Sequence, residues 1–181
     1  KNPDISSHES FERIMAACRK KKIPIFIPGC DETRMGWQNT RLTFFQCDSL
    51  VSDGNTNDNS LVFKLTWDDF SMFFPGDILS GRERLLAESR THPLSSTILL
   101  APHHGSNSSS THWFLDRVKP ETVVISCGFN NPYRFPHPDV IHRYEQNNIR
   151  VFRTDRHGAV TITSNGRGYQ MVPFYSDVKR Q

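Results

Sequence analysis

The stretch TILLAPHHGSNSSS, residues 97–110, joins an apolar run to a polar turn and a row of serines. Residues 97–100 have the length and the apolar content of a buried strand. Ser109 or Ser110 can cap a helix that ends before Pro120. The stretch therefore predicts a strand, a polar loop and a helix in succession, which is the repeating unit of an α/β fold.

The same alternation continues on both sides of this stretch. Apolar residues recur at helical spacing over residues 7–20, and residues 82–89 and 138–146 also predict helices. Strand-like runs cover residues 23–27, 42–46, 60–66, 70–74, 122–126 and 150–153, and a final hairpin pairs 160–163 with 170–172. Residues 48–59 are rich in Ser, Asp, Asn and Gly and predict a loop. We expect one α/β domain over residues 1–181, in which helices flank a sheet of mixed direction.

Composition indicates an ordinary folded domain. The chain has 181 residues, with 22 Lys and Arg against 19 Asp and Glu, so its formal net charge is +3. That surplus is too small to predict a polyanionic partner by itself. A hydrophobic fraction of 36% and a charged fraction of 23% exclude a disordered acidic or basic tail. No stretch of the sequence approaches the ~20 apolar residues that span a bilayer.

The four cysteines are Cys18, Cys30, Cys47 and Cys127, and no two of them form a C-x-x-C pair. A zinc ribbon and a thioredoxin-like redox site are therefore excluded. Cys18 lies on the apolar stripe of a predicted helix and Cys127 at the end of a predicted strand, which favours buried free thiols. The spacing favours no particular pairing, so the redox compartment stays open.

Polar side chains collect directly after the predicted strands, where α/β folds place their ligand-binding loops. Asp77 follows an apolar strand and Gly76, so its carboxylate can project over the sheet edge towards a cation. The alternative is that Asp77 caps the helix that starts near Ser80. The segment Asn-Asp-Asn-Ser at 57–60 stands directly before another strand and is marked as a further polar cluster.

His103 and His104 stand together after the strand predicted over 97–100. Imidazole is a common zinc ligand and the best general acid–base group near neutral pH. Adjacent residues of an extended chain point in opposite directions, so both can bind one metal only if the chain turns there. Gly105 and the following serines suit a turn that offers N–H groups and hydroxyls to an anion. A hydrogen-bonded histidine pair before a Ser-capped helix is the alternative.

Two further loops carry basic and acidic groups. Residues 130–138 contain three prolines, which fix the loop and make it a platform for Arg134 and His137. The alternative there is a turn that leads into the next helix and is packed by its aromatic residues. Residues 154–158 place Asp155 and His157 between two strands, where both can equally be turn residues.

Complete metal-binding and nucleophile motifs are missing from the sequence. It contains no H-x-H-x-D-H, H-E-x-x-H or G-x-S-x-G element. A zinc site needs three or four ligands, and the candidates are Asp77, one of His103 and His104, and His137. These residues predict about half a metal site, and a Ser-His-Asp triad is the weaker hypothesis.

A series of elements in this order resembles a known family. The elements are NDNSLV at 57–62, PGD at 75–77, HHGSNSSS at 103–110, NPYRFPHP at 131–138 and TDRHGA at 154–159. The series is similar to the metallo-β-lactamase-like C-terminal domain of ComEC-type competence proteins, the inner-membrane channels for DNA uptake. The resemblance is strong over residues 57–173 and looser over 7–56, and it leaves 174–181 as a tail.

The resemblance implies an αββα sandwich with a site at one edge that hydrolyses phosphodiester bonds of incoming DNA. It implies divalent cations, zinc or manganese, as a pair in the complete domain. Asp77 would bridge them, and His103 and His104 would be ligands. The implied catalytic residues are Asp77, His104 and His137, and the implied phosphate-binding residues are Ser106, Ser108, Asn131 and Arg134.

The family pattern also contains an upstream metal-binding element, H-x-H/D-x-D-H, that this sequence lacks, and Phe135 stands where family members often carry histidine. The resemblance therefore implies the second portion of the domain, with an incomplete metal site and poor activity alone. Its implied partners are DNA, the upstream half of the domain and the channel portion of the same membrane protein. The implied location is the periplasmic side of the inner membrane in a bacterial cell envelope.

Two alternative functions stay open at this point. The same fold and metal can act on a small phosphoester, for example a phosphocholine ester. A non-catalytic extracytoplasmic domain that guides DNA or holds channel partners belongs to a different class. It would show salt-dependent DNA binding without cleavage.

Overall fold

The computed structural model describes residues 9–29, 33–36, 39–45, 56–89 and 93–176. The helices are α1 (Glu9–Lys20), α2 (Ser80–Glu88), α3 (His112–Val118), α4 (Pro138–Gln146) and the single turn α5 (Thr154–His157). The strands are β1 (Thr33–Met35), β2 (Thr40–Phe44), β3 (Phe63–Trp67), β4 (Phe70–Phe74), β5 (Ile98–Leu100), β6 (Thr122–Ile125), β7 (Arg150–Arg153), β8 (Val160–Ser164) and β9 (Tyr169–Pro173). Short 3-10 turns, Thr56–Asn59 and Pro102–Gly105, precede β3 and follow β5.

Strands β1 to β7 lie side by side in chain order in one sheet. Strands β1 to β4 pair antiparallel, and the β3–β4 hairpin turns at Asp68 and Asp69, as the sequence predicts. From β4 to β7 every pair is parallel, because α2, α3 and α4 return the chain between successive strands. The carboxyl ends of β4, β5, β6 and β7 therefore meet at one edge of the sheet, together with the polar loops that follow them.

The central strands bury apolar side chains on both faces of the sheet. Phe73 and Leu99 belong to the core that α2, α3 and α4 close, where Tyr144 of α4 is fully buried. Ile98 and Val124 point to the opposite face and pack with the separate two-stranded sheet of β8 and β9. Neighbouring residues of one strand thus serve different cores, which is the period of two expected of a strand covered on both faces.

The observed architecture confirms the α/β class, the mixed sheet and the predicted helices over their described residues. Three layers are established by packing: helices α2 to α4, the large sheet and the β8–β9 hairpin. The complete αββα sandwich and the single-domain boundaries remain predictions. Within the described segments, no helix is long and apolar enough to span a bilayer.

Two predictions of local structure are wrong. Residues 23–27 form no strand, and Ile27 is 76% exposed. Pro24 lacks the N–H group that a strand needs for its ladder, so the apolar composition of this run is misleading. Strand β1, over Thr33–Met35, forms where the sequence pattern gave no strand signal.

The cysteine prediction is correct in part. Cys18 and Cys127 are free thiols, but both are only half-buried. Cys30 and Cys47 lie outside the described residues, as do positions 48–55 of the predicted loop. The described end of that loop, Thr56–Asn59, is a 3-10 turn with a role at the site.

Candidate active site

A cavity of about 640 Å³ lies where the loops after β4, β5 and β6 meet. It is lined by Asp77, His103, His104, Ser126, Cys127, Gly128, Asn131, Tyr133 and Phe135. Four residues predicted from the sequence, Asp77, His103, His104 and Asn131, are therefore brought to one place. The other predicted site residues, Ser106, Ser108, Arg134 and His137, are not among the residues that line it.

The turn after β4 places the Asp77 carboxylate at the cavity. Gly76 has φ +64°, and a Cβ there would lie 2.6 Å from Ser60 Cβ, so only glycine fits. The Asp77 N–H donates to Ser60 Oγ at 3.0 Å, and Ser60 Oγ donates to the Asn57 carbonyl at 2.7 Å. The backbone of Asp77 is thus anchored by the marked Asn-Asp-Asn-Ser segment, and its side chain lines the cavity.

A different aspartate serves the start of α2. The buried Asp58 carboxylate accepts a hydrogen bond from the Leu79 N–H at 2.6 Å, directly before the helix. The interpretation of Asp77 as the cap of this helix is therefore wrong. The sequence marked residues 57–60 as a polar cluster without assigning their role, which is to hold both the Asp77 turn and the start of α2.

The chain turns sharply at the histidine pair. His103 and His104 have φ +47° and +56°, inside the 3-10 turn Pro102–Gly105. This left-handed backbone is costly for residues with a Cβ and requires support from the surroundings. The His103 N–H donates to the Gly76 carbonyl at 3.1 Å, which ties this turn to the one that carries Asp77. Both imidazoles consequently face the same cavity, with ring centroids 6.4 Å apart.

The hydrogen bonds of His104 fix which ring nitrogen carries a proton. His104 Nδ1 lies 2.8 Å from the Ser126 carbonyl oxygen, which can only accept, so Nδ1 must donate. A neutral His104 therefore presents the lone pair of Nε2, and this atom lies 3.5 Å from Asp77 Oδ1. Either a proton on Nε2 or a bound cation would make this contact favourable.

His103 carries a buried polar atom without a hydrogen-bond partner. Its Nδ1 is buried and has no hydrogen-bond partner among the residues that the structure describes. Its ring packs edge-on against Phe135, with centroids 5.7 Å apart. An unpaired buried nitrogen is costly in a folded protein, and Arg82 Nε is another such atom among the described residues.

The donor atoms fit one side of a divalent-cation site. Imidazole nitrogen with a carboxylate oxygen is a common ligand set for zinc, and a ligating histidine usually donates its other N–H to a carbonyl or carboxylate, as His104 does to Ser126. No cluster of three His, Cys, Asp or Glu side chains suited to a metal occurs among the described residues. Asp77 and His104 thus do not complete a cation site by themselves.

The loop after β6 uses its polar atoms internally. Asn131 Nδ2 donates to the Gly128 and Phe135 carbonyls at 2.9 and 2.7 Å, and Asn131 Oδ1 accepts from the Phe135 N–H at 2.9 Å. Arg134 has φ +57° and is exposed. Asn131 lines the cavity, but its amide braces the loop. Its predicted contact with phosphate stays a prediction.

His137 begins α4. Its Nδ1 accepts a hydrogen bond from the Asp139 N–H at 3.2 Å, and the same nitrogen lies 3.6 Å from Asp139 Oδ2. This is the N-cap arrangement in which a side-chain acceptor satisfies a free helix N–H. The structure therefore supports the alternative of a turn that leads into the helix, and His137 is not among the residues that line the cavity, although its N–H donates to the Gly105 carbonyl at 2.9 Å.

The serines after His104 stabilise the loop. Ser106 and Ser108 contact each other through their hydroxyls at 2.9 Å, and Ser109 Oγ donates to the Pro102 and Ser106 carbonyls at 2.9 Å. Ser110 Oγ lies 2.7 Å from the Tyr144 hydroxyl. Thr111 is the N-cap residue of α3, so the prediction of a Ser109 or Ser110 cap is wrong.

Glu83 is the residue that sequence reasoning missed. Its fully buried carboxylate accepts from the Ser110 N–H at 2.5 Å, and from the Thr111 N–H and hydroxyl at 2.8 and 2.6 Å. Burial raises the pKa of Glu83, although these hydrogen bonds oppose the rise. In the sequence Glu83 is one of several charges on a predicted helix, and only the fold brings it to the start of α3.

The loop after β7 forms a second polar cluster beside the cavity. Arg153 binds the Asp155 carboxylate through both of its oxygens, at 3.0 and 2.6 Å, and Cys127 Sγ donates to Asp155 Oδ1 at 3.2 Å. Burial would raise the pKa of Asp155, but hydrogen bonds from Arg153 and Cys127 outweigh it and lower that pKa. Burial and the Asp155 carboxylate raise the pKa of the Cys127 thiol to about 11. Asp155 therefore holds the α5 turn together, and the thiol at the cavity is unreactive at neutral pH.

The chain is similar in sequence to three longer proteins. The chain is 32% identical over 139 residues to Competence protein ComA of Neisseria gonorrhoeae, covering 77% of the chain and 20% of that protein. It is 28% identical over 164 residues to ComE operon protein 3 of Bacillus subtilis, covering 89% of the chain and 20% of that protein. Recombination protein 2 of Haemophilus influenzae is 27% identical over 126 residues, with 70% of the chain and 16% of that protein covered.

These similarities support a ComEC-type competence domain, which is the coarser part of the expectation drawn from the motifs. The chain spans about a fifth of the length of the curated relatives it matches. No protein-family model matches the chain. The metallo-β-lactamase-like fold and the metal-dependent chemistry of the site therefore stay predictions.

Proposed function

We propose that this chain is a domain of a DNA-uptake channel of the competence type and that its cavity hydrolyses phosphodiester bonds with the help of divalent cations. One observation carries the proposal. Asp77 Oδ1 lies 3.5 Å from His104 Nε2 in the cavity, and Nε2 offers a lone pair when His104 is neutral. This arrangement is suited to a shared cation, and a phosphodiester is the substrate class that competence-type proteins bring past the domain.

Each residue near the pair has a definable part in this function. Asp77 and His104 would hold one cation, and His103, with its buried unpaired nitrogen, is the candidate for a further ligand. The Ser126 carbonyl keeps the Nε2 lone pair of His104 directed at the site. A bound divalent cation supplies positive charge that polarises a phosphoryl oxygen and stabilises the leaving oxygen. The remaining ligands would come from outside the described residues, as the implied upstream half of the domain requires.

The cellular setting is part of the same proposal. The relatives are named for competence and recombination, and the aligned part of this chain covers 16–20% of each. We propose DNA, the upstream half of the domain and the channel portion of the same protein as partners. The domain would lie on the periplasmic side of the inner membrane, in the cell envelope.

Cation binding by the protein that contains the complete domain is the first test. Titration calorimetry with Mn²⁺ and Zn²⁺ compares the unmodified protein with Asp77→Asn, and with Asp139→Asn as a matched exposed aspartate. We expect Asp77→Asn to weaken cation binding by more than about 100-fold, because removing a ligand exceeds the 10–100-fold effect of outer partners. Asp139→Asn should leave it unchanged. Unaltered cation binding in Asp77→Asn would contradict the proposal.

Hydrolysis is then measured on the protein that contains the complete domain, with a labelled single-stranded oligonucleotide. Cleavage should require the cation and should be lost in Asp77→Asn but kept in Asp139→Asn. The chain by itself should cleave poorly, because only two donor atoms converge within its described part. Rapid cation-dependent cleavage by the chain alone would contradict the view that its site is incomplete.

A specific observation favours a second candidate function, a domain that guides DNA without cleaving it. The polar groups of Ser106 and Asn131, which were expected to bind phosphate, and of His137, which was expected to be catalytic, are bonded to neighbouring residues. Salt-dependent binding of DNA without cleavage in any divalent cation, in the complete domain, would favour this function over hydrolysis.

A further inference from the structure

An aromatic column leads out of the cavity. The Phe135 ring packs edge-on against His103 inside, with centroids 5.7 Å apart. On its outer side it stacks on Tyr133, with centroids 5.5 Å apart and an angle of 19° between the ring planes. Tyr133 is 74% exposed, although it lines the mouth of the same cavity. The column therefore ends on a flat aromatic surface that faces water.

The loop that carries the column is held in place. Asn131 braces it with three hydrogen bonds to Gly128 and Phe135. The Arg134 N–H donates to the Asn131 carbonyl at 3.0 Å, which closes the turn around Tyr133. A ring presented on a braced turn loses little conformational entropy when a ligand stacks on it.

The loop that carries Tyr133 has a positive charge and no negative one. Residues 128–138 contain no Asp or Glu, and Arg134 follows Tyr133 directly and is exposed. The acidic residue among those that line the cavity is Asp77, on the opposite side. A flat aromatic face beside a cation, at the mouth of a cleft, is the combination by which proteins hold single-stranded nucleic acid. The bases of a duplex stack on each other along its length, so an unpaired base is the better occupant of such a ring.

We infer that Tyr133 is a stacking subsite for an unpaired nucleobase, so that the substrate strand enters the cavity in single-stranded form with Arg134 beside its backbone. The inference rests on the proposed function insofar as that function makes DNA the substrate. It adds the strand form and the residue that receives the base. The stacking depends on the π face of Tyr133 and requires no metal ion.

The test measures binding of a labelled 12-nucleotide oligo(dT) by fluorescence anisotropy in buffer that contains EDTA, so that no cleavage takes place. Tyr133→Leu should weaken binding about tenfold, since base–aromatic stacking contributes ~1–3 kcal/mol per base. Tyr133→Phe, which keeps the ring, should bind as tightly as the unmodified chain. Trp113→Leu removes an exposed aromatic from α3, away from the cavity, and should have no effect.

A second oligonucleotide separates stacking from charge. A 12-mer with abasic sites throughout keeps the phosphates, so the unmodified chain and Tyr133→Leu should bind it equally and weakly. Unchanged binding of oligo(dT) by Tyr133→Leu, or an equal loss for both oligonucleotides, would overturn the inference. Circular dichroism of each variant checks that the fold is kept.

The outcomes also separate this inference from the proposed function. Failure of the stacking test leaves cation binding by Asp77 as it was, since Tyr133 is no ligand. Loss of the proposed hydrolysis, with the Tyr133 effect retained, would leave a domain that guides single-stranded DNA. Tighter binding of a 12-base-pair duplex than of oligo(dT) would contradict the single-strand assignment alone.

Discussion

The two sides of the cavity use similar residues in opposite ways. On the β4–β5 side, the turns at Asp77 and His104 are anchored through backbone atoms, and the side-chain donors are left facing each other. On the β6 side, the polar side chains of Asn131 and His137 hydrogen-bond within the loop and at the start of α4. In the sequence both sides are polar loops that follow a strand. In the structure only the β4–β5 side leaves potential metal-ligating atoms, those of Asp77 and His104, free of hydrogen bonds within its own loop.

This difference indicates which polar residues are available to bind a ligand and which stabilise the loop. A polar group with its hydrogen bonds satisfied inside the loop is stabilising, and its removal should lower the free energy of unfolding. A polar group without a partner is costly unless a ligand completes it. The two sides should therefore respond differently to substitution, one in ligand binding and the other in stability.

The largest effect on stability is expected where the two sides touch. Gly105 has φ +80°, and a Cβ there would lie 2.6 Å from Pro136 Cβ. Gly105→Ala combines backbone strain with a clash and should lower the free energy of unfolding by roughly 3 kcal/mol. Gly168→Ala is the matched control, because a Cβ at Gly168 meets nothing within 4 Å.

Urea unfolding of both variants measures this effect. The Gly168 variant should stay within about 0.5 kcal/mol of the unmodified chain. Equal stability of the two variants would show that the cavity walls are not in contact at Gly105, and it would weaken the comparison between them.

A smaller effect on the free energy of unfolding is expected at Asn131, and Asn165 is its matched control. Asn131 donates two hydrogen bonds to carbonyls, whereas Asn165 only accepts, from the Arg167 and Gly168 N–H groups at 3.1 and 2.9 Å. Asn131→Asp places a carboxylate against two carbonyl oxygens and should lower the free energy of unfolding by about 2 kcal/mol. Asn165→Asp keeps its acceptor and should cost less than about 0.5 kcal/mol.

The stability deficit of Asn131→Asp should depend on pH. The carboxyl of Asn131→Asp can donate only when protonated, and the two carbonyls that face it raise its pKa in the folded state, so the deficit should shrink as the pH falls from 7 towards about 4. Unfolding curves at pH 7 and pH 4 measure it. A deficit that grows towards low pH, or one that Asn165→Asp shares, would show that Asn131 does not support the loop as a donor.

The sequence predicted the sheet edge well because its signals are local. An apolar run followed by Gly76-Asp77 or by His103-His104 is visible within a few residues, and parallel strands bring such ends together. The roles of individual polar atoms were not visible, because they depend on distant partners. Asp58 acts on Leu79, and Glu83 acts on Ser110, through contacts that only the packed fold creates.

The misread run at 23–27 has a related cause. Its apolar residues have the composition of a strand, but strand formation needs a ladder partner as well as composition. The two prolines in and beside the run reduce the N–H groups that it can offer to such a partner. An apolar residue is buried only where another part of the chain packs on it. The sequence of residues 23–27 alone does not show whether another segment does so.

The smallest effect is expected at His137, and it provides the sharpest contrast with His104. His137→Asn keeps an acceptor for the Asp139 N–H, so stability should change by less than about 0.5 kcal/mol, whereas His137→Ala should lose about 1 kcal/mol with the cap. Because its imidazole caps α4 and does not line the cavity, cleavage by the complete domain should stay within about twofold in His137→Asn. His104→Asn should abolish cleavage, since Nε2 is the atom that faces Asp77. If His137→Asn also lost cleavage while keeping its stability, His137 would act in the reaction as the motif first suggested, and the β6 side of the cavity would contribute chemistry as well as support.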